Sequence, residues 1–420
     1  MMIFESFIQA QSSFLWLSFG LAVVFGAVAN KTSFCTMGAV SDWVNIGDLG
    51  RIRAWLLAIA VAMLGVVILE SLGMMSVDDS FPPYRADKLI WAENILGGFL
   101  FGIGMTLASG CGNKTLVRFG GGNLKSMVVL FVIGLTAYFM TNPFPNSDKT
   151  LFSVLFYDWI RPLAITTQGQ DLGSLINPEH ALGTRLVIGI ILSLALLVFV
   201  FKSADFRRNV DNILGGLVVG AVILAAWYVS SSVRIDLEGE LYSLSSYAQE
   251  WEFLAESDVD KPAEILPLSS QSFTFINPMG QSLAYVANGF DRAMLSFGIL
   301  AVFGVILGSF LWSLLSRKLR LEWFISARDA LNHIIGATLM GFGGVLALGC
   351  TIGQGITGMS TLAVGSFLAL ISMVFGSALT MKIQYYQMVY EEEASFMKAL
   401  LSSLVDMRLL SASWRKLDAV

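Results

Sequence analysis

Charge is what this 420-residue sequence has least of. Asp, Glu, Lys and Arg make up 14% of it, where soluble domains carry about 25%, which argues against an ordinary soluble globular chain. Histidine occurs only twice, too rarely for a His-based metal centre. Cysteine occurs three times with no C-x-x-C pair, so neither a disulfide framework nor a zinc site is suggested. No basic face for nucleic acid stands out, and the net charge of −5 reflects acidic residues gathered between apolar segments. The first apolar stretch lacks a basic leader and a small-residue cleavage site, so it reads as a span and not as a removed signal.

What fills the chain instead is apolar: 55% hydrophobic residues and a mean hydropathy of +0.70. Stretches 6–30, 94–113, 126–147, 212–233, 293–316 and 330–381 contain no charged residue. A helix needs roughly 20 apolar residues to cross a bilayer. The pattern predicts an all-α polytopic membrane protein with nine spans, at 13–31, 53–73, 91–109, 124–142, 182–202, 211–231, 292–316, 328–348 and 361–383. It divides into an N-terminal half (1–210), a C-terminal half (211–391) and a tail (392–420). In the tail Phe396, Met397, Leu400, Leu401, Leu404 and Leu410 predict an amphipathic helix lying on the membrane surface.

Basic residues orient the spans. They cluster at Lys31, Arg51 and Arg53, at Lys114, Arg118 and Lys125, at Lys202, Arg207 and Arg208, and at Arg317, Lys318, Arg320 and Arg328. The alternate connections, 74–90, 143–181 and 232–291, are acidic or mixed and read as outer loops. One alternation satisfies all of this, with the N-terminus outside and the C-terminus inside. Glu70 and Arg185 then fall near outer span ends as interfacial residues. Asp42 is expected to cap a helix, and His333 to mark the start of the eighth span.

The spans are organised around one stretch used twice. Residues 97–111 return at 336–350, sharing Gly97/Gly336, Leu100/Leu339, Gly102/Gly341, Gly104/Gly343, Leu107/Leu346, Ala108/Ala347, Gly110/Gly349 and Cys111/Cys350. Each copy ends on Gly-Cys and runs into further glycines, which are poor helix formers. Under the alternation above the two copies run in opposite directions, as inverted repeats around a midplane site do. A second match, 18–26 with 296–304, joins two spans that run the same way. A third, 212–216 with 94–98, leads to no cysteine.

Broken backbone at membrane depth is tolerated where it lines a cavity, and helices restarting there aim N-terminal amides at its contents, a setting suited to an anion. Cys111 and Cys350 occupy that position, and Cys35 comes after the first span in a similar polar opening. A thiol there offers a weak S–H donor. Asn113, Thr351 and Gln354 are candidates for further hydrogen bonds, and Lys114 and Arg118 for attracting the anion.

The segments Ser33-Phe-Cys-Thr-Met-Gly-Ala39, 102–113, 272–278 and 339–358 are similar to those of the YeeE/YedE family of bacterial sulfur transporters, whose characterised members take up thiosulfate. The resemblance covers nearly the whole chain, with 349–355 its most specific part. It implies an hourglass-shaped inner-membrane protein with nine spans and short re-entrant helices. It also implies that three thiols, at Cys35, Cys111 and Cys350, pass the anion along by S–H hydrogen bonds. A TusA-like cytosolic sulfur carrier often accompanies such a transporter, and some members are tied to selenium. No cofactor is implied. Two rivals remain on the residues alone: a membrane sulfurtransferase or thiol oxidoreductase with a covalent persulfide, and a soft-metal transporter. No C-x-x-C pair supports redox exchange, and the rows of Met and His that Cu(I) would need are missing.

Overall fold

The computed structural model describes residues 2–237, 239–254 and 267–418. Part of the long loop expected at 232–291, including Glu238, Glu256, Asp258 and Asp260, lies outside the described residues. The chain forms helices α1 (Phe7–Lys31), α2 (Thr36–Ile46), α3 (Gly50–Ser71), α4 (Trp91–Leu107), α5 (Gly112–Gly120) and α6 (Leu124–Thr141). The next segment holds the short α7 (Leu151–Leu155), α8 (Tyr157–Ile160) and α9 (Leu172–Ile176). Then come α10 (Ala181–Phe201), α11 (Ala204–Arg208), α12 (Val210–Ser232), α13 (Leu244–Leu254), α14 (Ile276–Ala287), α15 (Phe297–Leu315), α16 (Ala327–Leu346), α17 (Val364–Tyr390) and α18 (Phe396–Asp406). Strand β1 (Met2–Phe4) pairs parallel with β4 (Val233–Leu237), which pairs antiparallel with β5 (Glu240–Ser243); β2 (Lys88–Leu89) pairs with β3 (Ile165–Thr166).

This is an all-α polytopic membrane protein. Eight helical stretches among the described residues are long and apolar enough to cross a membrane. The ninth expected span exists as α16, but Arg328, Asp329 and His333 in its first turns keep it below that apolar standard. Asp329 is matched locally: Lys125 Nζ lies 2.8 Å from it, and His333 Nδ1 lies 3.0 Å from the same carboxylate. A correction falls in the segment expected as the loop 232–291. Its end is the helix α14, which packs into the bundle, where Gly280 closes on Tyr138 and Leu283 on Gly134 of α6. Twelve residues are too few for a span, and Pro278 fits because it sits in the first turn, where a missing N–H costs nothing.

The repeated stretch forms the tightest packing in the bundle. Gly97 of α4 faces Gly343 and Ala347 of α16, while Gly104 faces Gly336 and Met340, so the two helices cross antiparallel. The glycines that the two copies share therefore interlock with one another across the crossing. A Cβ on Gly104 would lie 2.5 Å from the Gly336 carbonyl oxygen, and one on Gly343 would lie 2.5 Å from that of Gly97. On its other side α4 runs parallel to α17, with Gly98 against Ala369 and Gly102 against Met373. Helices α1 and α15 are also parallel: Phe14 stacks on Phe297 at one end, and Asn30 bonds Ser309 and Ser313 at the other. These directions match the alternation that the basic clusters require.

The expected outer connections are fastened down by a chain of ion pairs. Glu70 bonds Arg85 at 2.7 and 2.9 Å, Arg85 reaches Asp78 at 2.9 Å, Asp78 takes Arg185 at 2.8 Å, and Arg185 grips Asp171 at 2.8 and 3.0 Å. Glu70 and Arg185 are thus buried in a clamp of ion pairs. Burial works to raise the Asp171 carboxyl, but its bonds to Arg185 and Ser174 prevail and hold it at about 2, so the clamp stays charged. Arg85 Nε also donates to the Thr361 carbonyl at 3.1 Å, tying the loop to the segment after Cys350.

Gly104→Val is expected to destabilise the fold by about 3 kcal/mol, the upper part of the overpacking range, read as a lower melting temperature in detergent. Gly183→Val, at a position with open space around it, should leave that temperature unchanged.

Candidate functional site

Three helices stop inside the protein with one backbone motif. After α1, Ser33 turns left-handed (φ 52°) and the Phe34 N–H closes back on the Ala29 carbonyl. After α4, Ser109 does so (φ 56°) and the Gly110 N–H bonds Met105; after α16, Leu348 (φ 57°) and Gly349 N–H to Gly344. This is a Schellman ending, which satisfies carbonyls that the stopped helix would leave bare. In each case a cysteine stands two residues beyond the left-handed position: Cys35, Cys111 and Cys350.

Each cysteine also begins the next helix. Cys35 caps α2, Cys111 precedes α5, and Cys350 opens a short helix over 351–360 whose centre, Gly353–Gly358, widens into a π turn. The sulfur takes the place that a Ser or Asp oxygen usually fills. Gly38 N–H donates to Cys35 Sγ at 3.4 Å, and Gly353 N–H to Cys350 Sγ at 3.5 Å. The three sulfurs therefore lie at the positive ends of three helices. Gly353 also allows a neighbour in, because the Thr274 hydroxyl lies where its Cβ would be.

The three ends converge. The Cys35 and Cys111 thiols lie against each other within hydrogen-bonding reach. Cys111 also reaches toward the Thr351 hydroxyl, next to Cys350, without forming a well-aligned bond. Around them sit buried polar atoms without partners: Thr36 Oγ1, Thr351 Oγ1 and both side-chain atoms of Asn113. Each belongs to the residue one or two places after a cysteine. Buried polar groups are nearly always bonded, so four orphaned atoms beside the three cysteines set this region apart.

The other expected residues divide. Lys114 and Arg118 on α5 are close enough to act electrostatically on Cys35. Arg118 Nη1 donates to the Ser109 carbonyl at 2.6 Å, while Lys114 forms no ion pair among the described residues. Gln354 is spent on the fold: its amide donates to the Ala347 carbonyl and accepts from Ser366. Asp42 is no helix cap, since it lies within α2 and pairs with Arg51. Sequence reasoning passed over Thr36, although it stands after Cys35 as Thr351 stands after Cys350. It also passed over Trp55, whose Nε1 is buried unpartnered and whose ring stacks on Phe34.

Space approaches the thiols from both faces. On the face of the long loops, a cavity of ≈ 290 Å³ and another of ≈ 110 Å³ meet at Pro83 and Leu348, and the second reaches Gly349 and Thr274. A third, of ≈ 410 Å³, shares Thr141, Asn277 and Gln281 with the second. On the basic face a recess of only ≈ 10 Å³ reaches Cys35 between Arg51, Trp55 and Asn212. Among the described residues no three His, Cys, Asp or Glu side chains are grouped to hold a metal ion.

A sequence profile described as sulphur transport matches residues 31–379, a stretch that contains all three cysteines. The thiosulfate transporter TsuA of Escherichia coli (strain K12) is 23% identical over 371 residues, covering 84% of this chain and 90% of that protein. The thiosulfate transporter TsuA of Spirochaeta thermophila is 24% identical over 370 residues, covering 86% and 97%. The probable transporter YedE of Salmonella typhimurium is 26% identical over 198 residues, covering 46% and 43%.

Cys35 is 5% exposed beside its recess, whereas Cys111 and Cys350 are fully buried. A small maleimide added to the folded protein should therefore label Cys35 first. Peptide mass spectrometry over time checks the order, and Cys35→Ala should remove the fast phase.

Proposed function

This chain belongs to the sulphur transport family, and we propose that it carries thiosulfate, or a closely related sulfur-containing anion, across the bacterial inner membrane. The observation that carries this reading is the contact of the Cys35 and Cys111 thiols, with Thr351 beside Cys350 in reach of Cys111, at three helix starts and among four orphaned polar atoms. The anion arrives through the loop-face cavities, passes Leu348 to Cys350, moves to Cys111 and then Cys35, and leaves past Lys114 and Arg118. The two halves, 1–210 and 211–391, form the walls of this path. The N-terminus lies outside and the C-terminus inside, where a TusA-like carrier would collect the sulfur.

The physical logic lies in the donors. Thiosulfate is a dianion with a soft terminal sulfur and three oxygens. S–H, O–H and amide N–H groups at helix starts hold such an ion without fixing it. Each neutral hydrogen bond is worth about 1 kcal/mol net, which suits a path that must release what it binds. Side-chain O–H and N–H groups left unpaired among the thiols, on Thr36, Thr351 and Asn113, are available for this at no cost to existing bonds.

Cys111→Ala and Cys350→Ala are each expected to reduce radiolabelled thiosulfate uptake into proteoliposomes by about tenfold or more, the effect of about 1.4 kcal/mol in the barrier, with normal protein levels. Unaltered uptake in both would remove the thiol path. A persulfide on a cysteine after substrate exposure, seen by mass spectrometry, would favour sulfur transfer over transport, and competition by selenium oxyanions would widen the substrate class. Asn113→Leu provides a second check. Replacing an unbonded buried amide by an apolar group of similar size should leave thermal stability the same or higher by about 1 kcal/mol, while uptake falls.

A further inference from the structure

The ≈ 290 Å³ cavity on the loop face holds an acid that the thiol path does not use. Glu93 stands in the first turn of α4 and lines this cavity; it is 7% exposed, and its Oε1 is buried with no hydrogen-bond partner. The neutral donors Asn94, Tyr84 and Ser366 around it are already engaged. Asn94 on the same helix gives its amide to the Ile90 carbonyl at 3.2 Å. Tyr84 gives its hydroxyl to the Gly353 carbonyl at 2.8 Å, and across the cavity Gln354 and Ser366 are bonded to each other. The charged groups on the wall are Arg161, from the turn Arg161–Leu163, and Asp87 and Lys88, at and beside β2. Arg161 lies over the Tyr157 ring at 5.3 Å and makes no ion pair with Glu93.

A carboxylate with one oxygen buried away from any donor is more costly than the neutral acid. The two forms also treat an arriving anion in opposite ways: the carboxylate repels it, whereas the acid presents an O–H that an anion can accept. Whatever makes the anion prefer the protonated form makes the proton prefer the anion-loaded protein. We propose that Glu93 is a proton-binding site in the mouth of the path, loaded together with the anion, so that uptake is linked to a proton. This rests on the anion-transport reading above.

The test is initial thiosulfate uptake into proteoliposomes containing the full chain, with external pH varied from about 6 to about 8. The dianion itself does not titrate in this range. Native uptake should fall as pH rises, by at most about tenfold per pH unit, the limit for one linked proton. E93Q should transport at a level independent of pH. A flat native profile, or a slope retained in E93Q, would overturn the proposal, the second by giving the proton to another group such as a cysteine thiol. An assay without transport separates the two readings. Infrared difference spectra of the native protein should contain a carboxylic-acid carbonyl band that titrates with pH, grows on adding thiosulfate and is missing from E93Q. If neither protein takes up thiosulfate, the transport reading falls. If the band is absent from the native protein or persists in E93Q, the proton site falls with or without transport.

Discussion

A helix that stops inside a bilayer protein leaves carbonyls at its end, and the next helix leaves amides at its start. The centre of this molecule is shaped by how those groups are satisfied. All three stops spend the carbonyls on a left-handed turn at Ser33, Ser109 and Leu348. A left-handed residue with a side chain costs about 1–2 kcal/mol, so the same strain is accepted three times. The amides receive only a sulfur at 3.4 to 3.5 Å at Cys35 and Cys350. The carbonyl side of each break is closed, and the amide side is left weakly occupied.

Packing and charge both serve that arrangement. The interlocked glycines of α4 and α16 hold the two repeated stretches antiparallel, so that their breaks follow opposite ends of the crossing, and α17 lies alongside α4 as its parallel partner. On the loop face, Arg85 and Arg185 draw Glu70, Asp78 and Asp171 into the clamp. On the basic face Arg51 neutralises Asp42. With these carboxylates paired, Lys114, which makes no ion pair among the described residues, stands near Cys35 and Cys111. Low-dielectric walls carrying one sign of charge concentrate the opposite sign, which on the proposed reading favours an anion near the thiols.

Much of this is legible in the sequence, for physical reasons. Uncharged stretches long enough to cross a bilayer locate the helices, and the basic clusters fix their relative directions. The shared Gly-Cys register points to Cys111 and Cys350. The misreadings are as instructive. Glycine is the residue expected to stop the helices, yet those that turn left-handed are Ser33, Ser109 and Leu348, which carry no such signal. Helix α14 reads as loop because a half-length, Pro-containing helix meets neither the length nor the composition of a span. Glu70 and Arg185 read as unpaired span-end charges because their partners, Arg85 and Asp171, lie 15 and 14 residues away in the adjoining connections, beyond any helical spacing. Gln354 and Thr351 are indistinguishable as neighbours of Cys350, and only three dimensions separate the amide committed to Ala347 and Ser366 from the hydroxyl left free.

The choice of sulfur at these caps has its own rationale. A serine or threonine oxygen at a helix start takes an amide hydrogen at about 2.9 to 3.0 Å, as in most N–H···O bonds, and stabilises the helix by about 1 kcal/mol. Ser326, Ser296, Ser203 and Ser395 cap α16, α15, α11 and α18 with such an oxygen, at 3.1 to 3.4 Å. Cysteine is a weak acceptor, so its amides remain poorly satisfied and turn readily to a competing anion. The S–H itself is a donor that moves with the side chain. On the proposed reading, an oxygen cap would stabilise each short helix more and leave less for the ion, whereas sulfur keeps the helix and the ion close in strength as ligands for the same N–H. The site can then exchange one for the other without a large change in free energy, as an ion moving between successive thiols requires.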